Sequence, residues 1–151
     1  MRALIQRVKS ASVSINGALY NKIERGLLIF LGVGSMDNAE DAEYLAQRCA
    51  NLRIFEDNVG KMNLSVKDIS GEALVISQFT LYADTRKGNR PSFTDAAPSE
   101  RAENYYNQFI SFLRNEIGGE KVYSGEFRAM MDIALVNDGP VTILLESSKL
   151  R

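Results

Sequence analysis

Three polar side chains, Ser77, Gln78 and Thr80, lie where an apolar run over residues 73–76 ends. Hydroxyl and amide groups can orient a carbonyl compound. A hydroxyl becomes a nucleophile only beside a base, however, and no base is adjacent in the sequence. Backbone N–H groups at the end of a strand can instead stabilise a developing oxyanion. Such a site suits a labile ester, which needs little activation.

A second polar segment, Asn-Asp-Gly-Pro at residues 137–140, lies between apolar runs over residues 133–136 and 141–145. Its residue types are typical of a turn, and turn formation alone explains them. Cis peptide bonds are essentially confined to bonds that precede proline, and a cis bond turns two successive carbonyls into an unusual orientation. We therefore predict a four-residue turn that is able to present backbone carbonyls.

The chain has no histidine, which excludes several kinds of site. Ser-His-Asp and Cys-His activation of a nucleophile is ruled out, and the commonest zinc ligand is missing. Four acidic side chains cluster at a predicted helix start, where the helix dipole explains them: Asp37, Glu40, Asp41 and Glu43. We predict no metal site.

Gly32-Val33-Gly34 follows a predicted strand, as the glycines of a nucleotide-binding loop do. A dinucleotide-binding motif would place its third glycine at the position of Asp37, and the chain has no Gly-Lys-Ser/Thr sequence. The sequence therefore predicts no nucleotide cofactor, and no other cofactor is indicated.

Three cations, Arg86, Lys87 and Arg90, follow the first polar segment in a loop that contains glycine. The chain has 18 Lys and Arg against 19 Asp and Glu, a formal net charge of −1, so its overall field does not attract polyphosphate. Any contact with nucleic acid must be local. A solvated surface loop explains these cations equally well, but their closeness to Ser77 and Thr80 makes them candidates for phosphate contacts.

Apolar patterning predicts strands at both ends of the chain, over residues 1–13, 27–33, 73–79, 133–136 and 141–145. Side chains alternate between the two faces of a strand. Gln78 and Thr80 are therefore expected on one face, and Ser77 and Phe79 on the other.

Two amphipathic helices are predicted between these strands. Asp37 or Asn38 can cap the first, whose apolar face consists of Ala42, Leu45, Ala46, Cys49 and Leu52. The second is expected to begin near Pro98 and to end at Gly118-Gly119. Its apolar face consists of Ala102, Tyr105, Tyr106, Phe109, Leu113 and Ile117.

Length and composition indicate one globular α+β domain over residues 1–151, a layered β/β/α sandwich whose mixed sheets are covered by two helices. The chain is 45% hydrophobic and 25% charged, which is ordinary for a globular protein. Its longest apolar run, residues 27–33, is far below the ~20 residues of a membrane span, and no signal peptide is evident. A single cysteine fits a reducing compartment, so we expect a cytoplasmic protein without membrane contact.

Taken together, the two polar segments resemble the signature motifs of the D-aminoacyl-tRNA deacylases. The pattern Ser-Gln-x-Thr matches residues 77–80, and Asn-x-Gly-Pro-x-Thr matches residues 137–142. The resemblance runs from residues 1–8 through residues 88–93 to the last strand. Ser77 and Phe79 make the chain similar to the chirally selective branch, rather than to the branch with Pro-Gln-Ala-Thr and a trans Gly-Pro bond.

This resemblance implies hydrolysis of the ester that joins a D-amino acid to the terminal ribose of tRNA. Glycine mischarged on tRNA(Ala) would be a further substrate, because glycine is achiral. The catalytic segment would contain Gln78, Phe79 and Thr80. Either Thr80 acts as a nucleophile or the ribose 2′-hydroxyl assists, and the sequence leaves both possibilities open.

The resemblance also implies which residues bind the substrate: Ser77, Gly139, Pro140, Arg7 and Met131. Gly139 and Pro140, joined by a cis bond, would enter the active site of the partner in a homodimer. Their carbonyls would bind the substrate ammonium and obstruct an L side chain. Arg7 would brace this turn, Met131 would lie near the pocket, and the cationic loop would contact tRNA through Arg86, Lys87 and Arg90.

Two alternatives stay open at this point. The chain could be a small RNA-binding module without catalysis, using residues 86–90 and Phe93 for phosphate and base contacts. It could also be a hydrolase of another activated acyl ester.

Overall fold

The computed structural model describes residues 1–147, so residues 148–151 of the predicted domain lie outside it. The described residues form two helices, α1 (Ala39–Asn51) and α2 (Ser99–Ile117), and short 3₁₀ helices at Phe79–Tyr82 and Gly119–Lys121. They also form eight strands: β1 (Arg2–Ile15), β2 (Ala18–Ile23), β3 (Gly26–Gly32), β4 (Phe55–Glu56), β5 (Met62–Leu64), β6 (Glu72–Ser77), β7 (Val122–Ser124) and β8 (Asp132–Glu146).

Strand β1 organises a mixed six-stranded sheet. Its first half pairs antiparallel with β3, its second half with β2, and β8 runs antiparallel along its other edge. Strands β3, β6 and β7 are parallel, while β4 and β5 form a separate pair. Because β3 and β6 are covered on both faces, their sequences are continuously apolar, whereas β1 alternates in burial.

Buried residues form two clusters, one on each face of the central strands. The larger joins the sheet to both helices and includes Ile5, Ile29, Leu45, Cys49 and Phe109. The smaller joins β3 and β6 to the far ends of β1 and β2, and includes Val8, Val13, Ile23, Leu28 and Leu74. The α+β class with two covering helices is therefore confirmed. The mixed sheets of the predicted sandwich are one six-stranded sheet and the separate pair of β4 and β5.

Both helices begin where the sequence predicts, and α2 ends at the predicted glycines, but α1 ends at Asn51, so Leu52 follows the helix in an extended conformation instead of lying on its apolar face. Asn38 caps α1, since its side chain accepts from the Asp41 N–H while the Asp41 carboxylate accepts from the Asn38 N–H. Pro98 precedes α2, and Gly118 ends it with a φ of 106°, in the region that favours glycine. Cys49 is fully buried, and burial raises the pKa of its thiol to about 12, so it is a core residue as predicted. Within the described residues, no helix is long and apolar enough to span a membrane.

Candidate active site

The first polar segment lies at the end of β6, beside the end of β3. Ser77 pairs with Leu31, and the Gln78 N–H donates to the Leu31 carbonyl at 2.8 Å. The chain then enters the 3₁₀ helix Phe79–Tyr82. The prediction that Gln78 and Thr80 share a strand face opposite Ser77 and Phe79 is therefore wrong. β3 ends at Gly32, so the backbone beyond Gln78 leaves the sheet and closes into a turn.

Among residues 1–147, the Thr80 hydroxyl has no base as a hydrogen-bond partner and accepts from the Gln78 side-chain amide at 2.5 Å. The backbone N–H groups of Phe79 and Thr80 open the 3₁₀ helix, where N–H groups have no partner within the helix. No residue in the described part of the chain accepts from either of them. The Phe79 side chain is 57% exposed, and its ring packs edge-on against Phe93 with centroids 5.0 Å apart. The segment thus presents two free donors beside an exposed aromatic ring.

The second polar segment does not join two strands, as the sequence suggested, but interrupts one. Both predicted runs, residues 133–136 and 141–145, belong to β8, and their residues 133–136 and 142–145 pair with β1. Between the pairs Gln6–Thr142 and Val8–Asn137, β1 has one residue where β8 has four. These four, residues 138–141, are called the Gly-Pro loop below, and Val141 at its end is buried in the larger core cluster. The bond between Gly139 and Pro140 is cis, as expected, and both residues are exposed.

Two side chains hold the Gly-Pro loop from its base. Arg7, the residue opposite the bulge, is buried and donates to the carbonyls of Asp138 at 2.7 Å and Ile54 at 2.6 Å. Asn137 accepts from the Val141 N–H at 2.8 Å and donates to the Val141 carbonyl at 3.1 Å, which closes the loop. Its amide also donates to the Gln6 side chain, so the loop is tied to β1.

Asn137 was part of the quoted motif but was not among the predicted site residues. Its position between two apolar runs, before a Gly-Pro pair, is the signal that pointed to a turn. That signal did not show which side chain closes the turn. Met131 is partly buried and packs against the smaller core cluster, which includes Ile76.

The cationic loop is closed by a bridge between Asp84 and Ser92. Arg86 is engaged within it, because its guanidinium donates to both carboxylate oxygens of Asp84 at 2.9 and 2.7 Å. This contact lowers the pKa of Asp84 to about 2. In the part of the chain that the structure describes, Lys87 and Arg90 make no hydrogen bond or ion pair. Of the three predicted contact residues, these two have free charges.

Within one chain, the structure does not bring the two polar segments together. Strands β3 and β1 lie between β6, which carries Ser77, and β8, which carries the Gly-Pro loop. Ser77 also lies level with Ala3 of β1, whereas the loop lies opposite Arg7. Strand spacing and rise place the two segments roughly 15–20 Å apart.

The acidic cluster at the start of α1 takes part in local structure. Asp37 contacts the Met1 nitrogen at 2.6 Å, and Asp41 belongs to the helix cap. Over residues 1–147, no group of three or more Cys, Asp or Glu side chains is arranged to hold a metal ion.

Comparison with known proteins places these features in a family. The family model described as D-Tyr-tRNA(Tyr) deacylase matches residues 4–146. A relative from Thermotoga petrophila named D-aminoacyl-tRNA deacylase is 58% identical over 150 residues, covering 99% of each chain. One of the same name from Dictyoglomus turgidum is 55% identical, over 100% of this chain and 96% of its own.

Solved structures share the fold. The c-Myc DNA Unwinding Element Binding Protein superposes with a TM-score of 0.93 at 43% identity, covering 97% of this chain and 98% of its own. A probable eukaryotic D-amino acid tRNA deacylase superposes with a TM-score of 0.85 at 16% identity, covering 96% and 98%. The chain belongs to the D-Tyr-tRNA(Tyr) deacylase family.

Proposed function

We propose that the chain hydrolyses the ester bond of D-aminoacyl-tRNA and releases free tRNA and a D-amino acid. Membership of the family over residues 4–146 carries this proposal. The chemistry of the site supports it, because free N–H groups suit an ester whose carbonyl needs only oxyanion stabilisation. The enzyme acts in the cytoplasm, where aminoacyl-tRNA is used.

The N–H groups of Phe79 and Thr80 stabilise the oxyanion in this proposal. The Thr80 hydroxyl does not attack, since its hydrogen-bond partner, the Gln78 amide, is not a base. A water molecule attacks the ester carbonyl carbon, assisted by the ribose 2′-hydroxyl of the substrate. Ser77 and Met131 line the substrate side of the segment.

The Gly-Pro loop selects the chirality of the substrate in this proposal. The carbonyls of Gly139 and Pro140 bind the ammonium and leave no room for an L side chain, while a D side chain points outward. Glycyl-tRNA, including glycine mischarged on tRNA(Ala), passes because glycine has no side chain. Rejecting L-substrates ~1,000-fold requires about 4 kcal/mol of differential binding in the transition state.

In this proposal, the Gly-Pro loop enters the active site formed by residues 77–80 of a second copy of the chain. The separation of the two segments within one chain supports this arrangement, since neither reaches the other. β8 is also an edge strand that pairs only with β1 among the described residues, and its Val136 and Leu144 side chains are about half exposed. A two-fold homodimer then contains two equivalent sites. Lys87 and Arg90, with Arg86 beside them, contact the tRNA backbone near each site.

Incubation with D-tyrosyl-tRNA and L-tyrosyl-tRNA tests the function. The proposed enzyme hydrolyses the D form with strong preference. An RNA-binding module would hydrolyse neither, and a general esterase would cleave both at similar rates. Either of those outcomes would contradict the proposal.

Mixing inactive subunits tests the shared site. One variant carries Phe79→Pro, and the other replaces Gly139 and Pro140 by alanine. Neither homodimer should hydrolyse D-tyrosyl-tRNA selectively, whereas exchanged subunits should regain selective activity, because one of the two sites in each heterodimer is intact. Absence of recovery after demonstrated exchange, or a fully active monomer, would exclude the shared site.

A further inference from the structure

The glycines at positions 32 and 34, which matched no cofactor motif, lie directly beneath the 3₁₀ helix Phe79–Tyr82. A Cβ on Gly34 would lie 2.8 Å from three atoms of the Tyr82 side chain, and one on Gly32 would lie 3.1 Å from the Leu81 Cβ. Neither glycine has a φ in the left-handed region. These positions therefore require a small side chain so that the 3₁₀ helix can pack onto the end of β3.

Tyr82 is fixed at its hydroxyl as well as at its ring. The hydroxyl donates to Asp37 Oδ2 at 3.1 Å, and the same oxygen accepts from the Gly34 N–H at 2.6 Å. Burial, and secondarily the Asp37 charge, raises the pKa of Tyr82 well above its usual range, so the hydroxyl keeps its proton.

Arg2 holds the same end of the 3₁₀ helix from the other side. Its guanidinium donates to the Leu81 carbonyl at 2.7 Å and lies over the Tyr82 ring, 4.6 Å from the centroid. It also donates to Glu146 at 2.9 Å, which fixes it at the edge of the sheet. Tyr82 is thus held by contacts on its ring, its hydroxyl and the preceding carbonyl.

We propose that Tyr82, seated on Gly34 and Asp37, is a positioning residue that sets where the Phe79 and Thr80 N–H groups lie. The 3₁₀ helix is a single turn of four residues, so displacement of Tyr82 at one end moves the N–H groups at the other. Oxyanion donors act at 2.7–3.1 Å, and a misplacement of about 1 Å costs roughly 100-fold in rate. This inference rests on the proposed function.

Kinetics of two variants test it. Tyr82→Phe removes one hydrogen bond and should lower kcat on D-tyrosyl-tRNA about 10-fold, and Gly34→Ala displaces the ring and should lower kcat about 100-fold. KM should change less than about 2-fold, because the displaced groups act in the transition state. Tyr20→Phe and Gly119→Ala are matched controls, since Tyr20 is exposed and a Cβ on Gly119 meets nothing within 4 Å.

A double variant adds a second criterion. In a Tyr82→Ala background the added methyl of Gly34→Ala has no ring to displace, so it should lower kcat by less than about 2-fold further. A full additional 100-fold loss would overturn the proposal, as would unchanged kcat in both single variants or equal losses in the controls.

Hydrogen exchange tests the positioning without substrate. The Leu81 N–H donates to Gln78 and the Ala83 N–H to Thr80, so both report on the turn. Their exchange should quicken at least about 10-fold in Tyr82→Phe and stay unchanged in Tyr20→Phe. Unchanged exchange in Tyr82→Phe would overturn the inference even if the wild type hydrolyses D-tyrosyl-tRNA. If the wild type hydrolyses nothing, the proposed function fails and this measurement still decides the positioning.

Discussion

At the scale of single residues, variants of Phe79 and Thr80 distinguish stabilisation of the oxyanion by backbone N–H groups from nucleophilic attack by the Thr80 hydroxyl. We expect Thr80→Ala to lower kcat on D-tyrosyl-tRNA less than about 10-fold. Phe79→Pro should lower kcat about 100- to 1,000-fold, because it deletes an oxyanion donor. Proline is compatible with the backbone here, since the Phe79 N–H has no acceptor among the described residues and Gln78 is not helical, with φ −146° and ψ 82°.

Phe79→Ala is the control for that comparison, because it removes the exposed ring and keeps the N–H. Single-turnover rates on the same substrate measure all three variants. Abolished hydrolysis in Thr80→Ala with intact binding, or a trapped acyl-Thr80 species, would show that Thr80 is the nucleophile and that the oxyanion account is wrong.

At the scale of elements, Asn137 determines the shape of the Gly-Pro loop. Asn137→Asp keeps the oxygen that accepts from the Val141 N–H but loses the donors to Gln6 and to the Val141 carbonyl. We expect a loss of about 1 kcal/mol in stability and a roughly 10-fold rise in hydrolysis of L-tyrosyl-tRNA relative to the D form. Parallel assays and denaturant unfolding measure both, with Asn107→Asp as control, because Asn107 is an exposed residue of α2. Unchanged chiral preference would contradict this role.

The loop also shows what the sequence could not reveal. Turn-forming residues between two apolar runs predicted a turn correctly, but both runs pair with the same strand, and only tertiary pairing decides that. The one-turn helix after Gln78 is shorter than the period that would reveal it, and β4, β5 and β7 have two or three residues each. The long elements α1, α2, β3 and β6 were predictable because burial imposes a clear pattern over many residues.

At the scale of the whole molecule, the net charge of −1 gives no general attraction to tRNA. Any electrostatic attraction must therefore come from a local group of cations. Replacing Lys87 and Arg90 together by glutamine should raise KM for aminoacyl-tRNA several-fold and reduce its salt dependence. Arg86→Gln should have a smaller effect, since Asp84 already holds that guanidinium. Titration of KM against salt measures the effect of each variant. An effect of Arg86→Gln as large as that of the double variant would contradict this difference.

Activity should survive exhaustive chelation. The chain has no histidine, its only cysteine is buried in the core, and the described residues offer no cluster of metal ligands. Rates before and after treatment with EDTA measure this directly. Loss of activity that zinc or manganese restores would show that a metal takes part.

The Gly-Pro loop is an insertion within β8, so it can be removed without removing the strand that carries it. β8 carries three more residues than β1 across the bulge, so deletion of residues 138–140 would leave Val141 opposite Arg7, between the existing pairs Gln6–Thr142 and Val8–Asn137. Arg7 would keep the Ile54 carbonyl as an acceptor. We expect a protein that folds, with a circular dichroism spectrum like that of the wild type, but has lost selective hydrolysis. Loss of folding would show that the loop is needed by the scaffold itself.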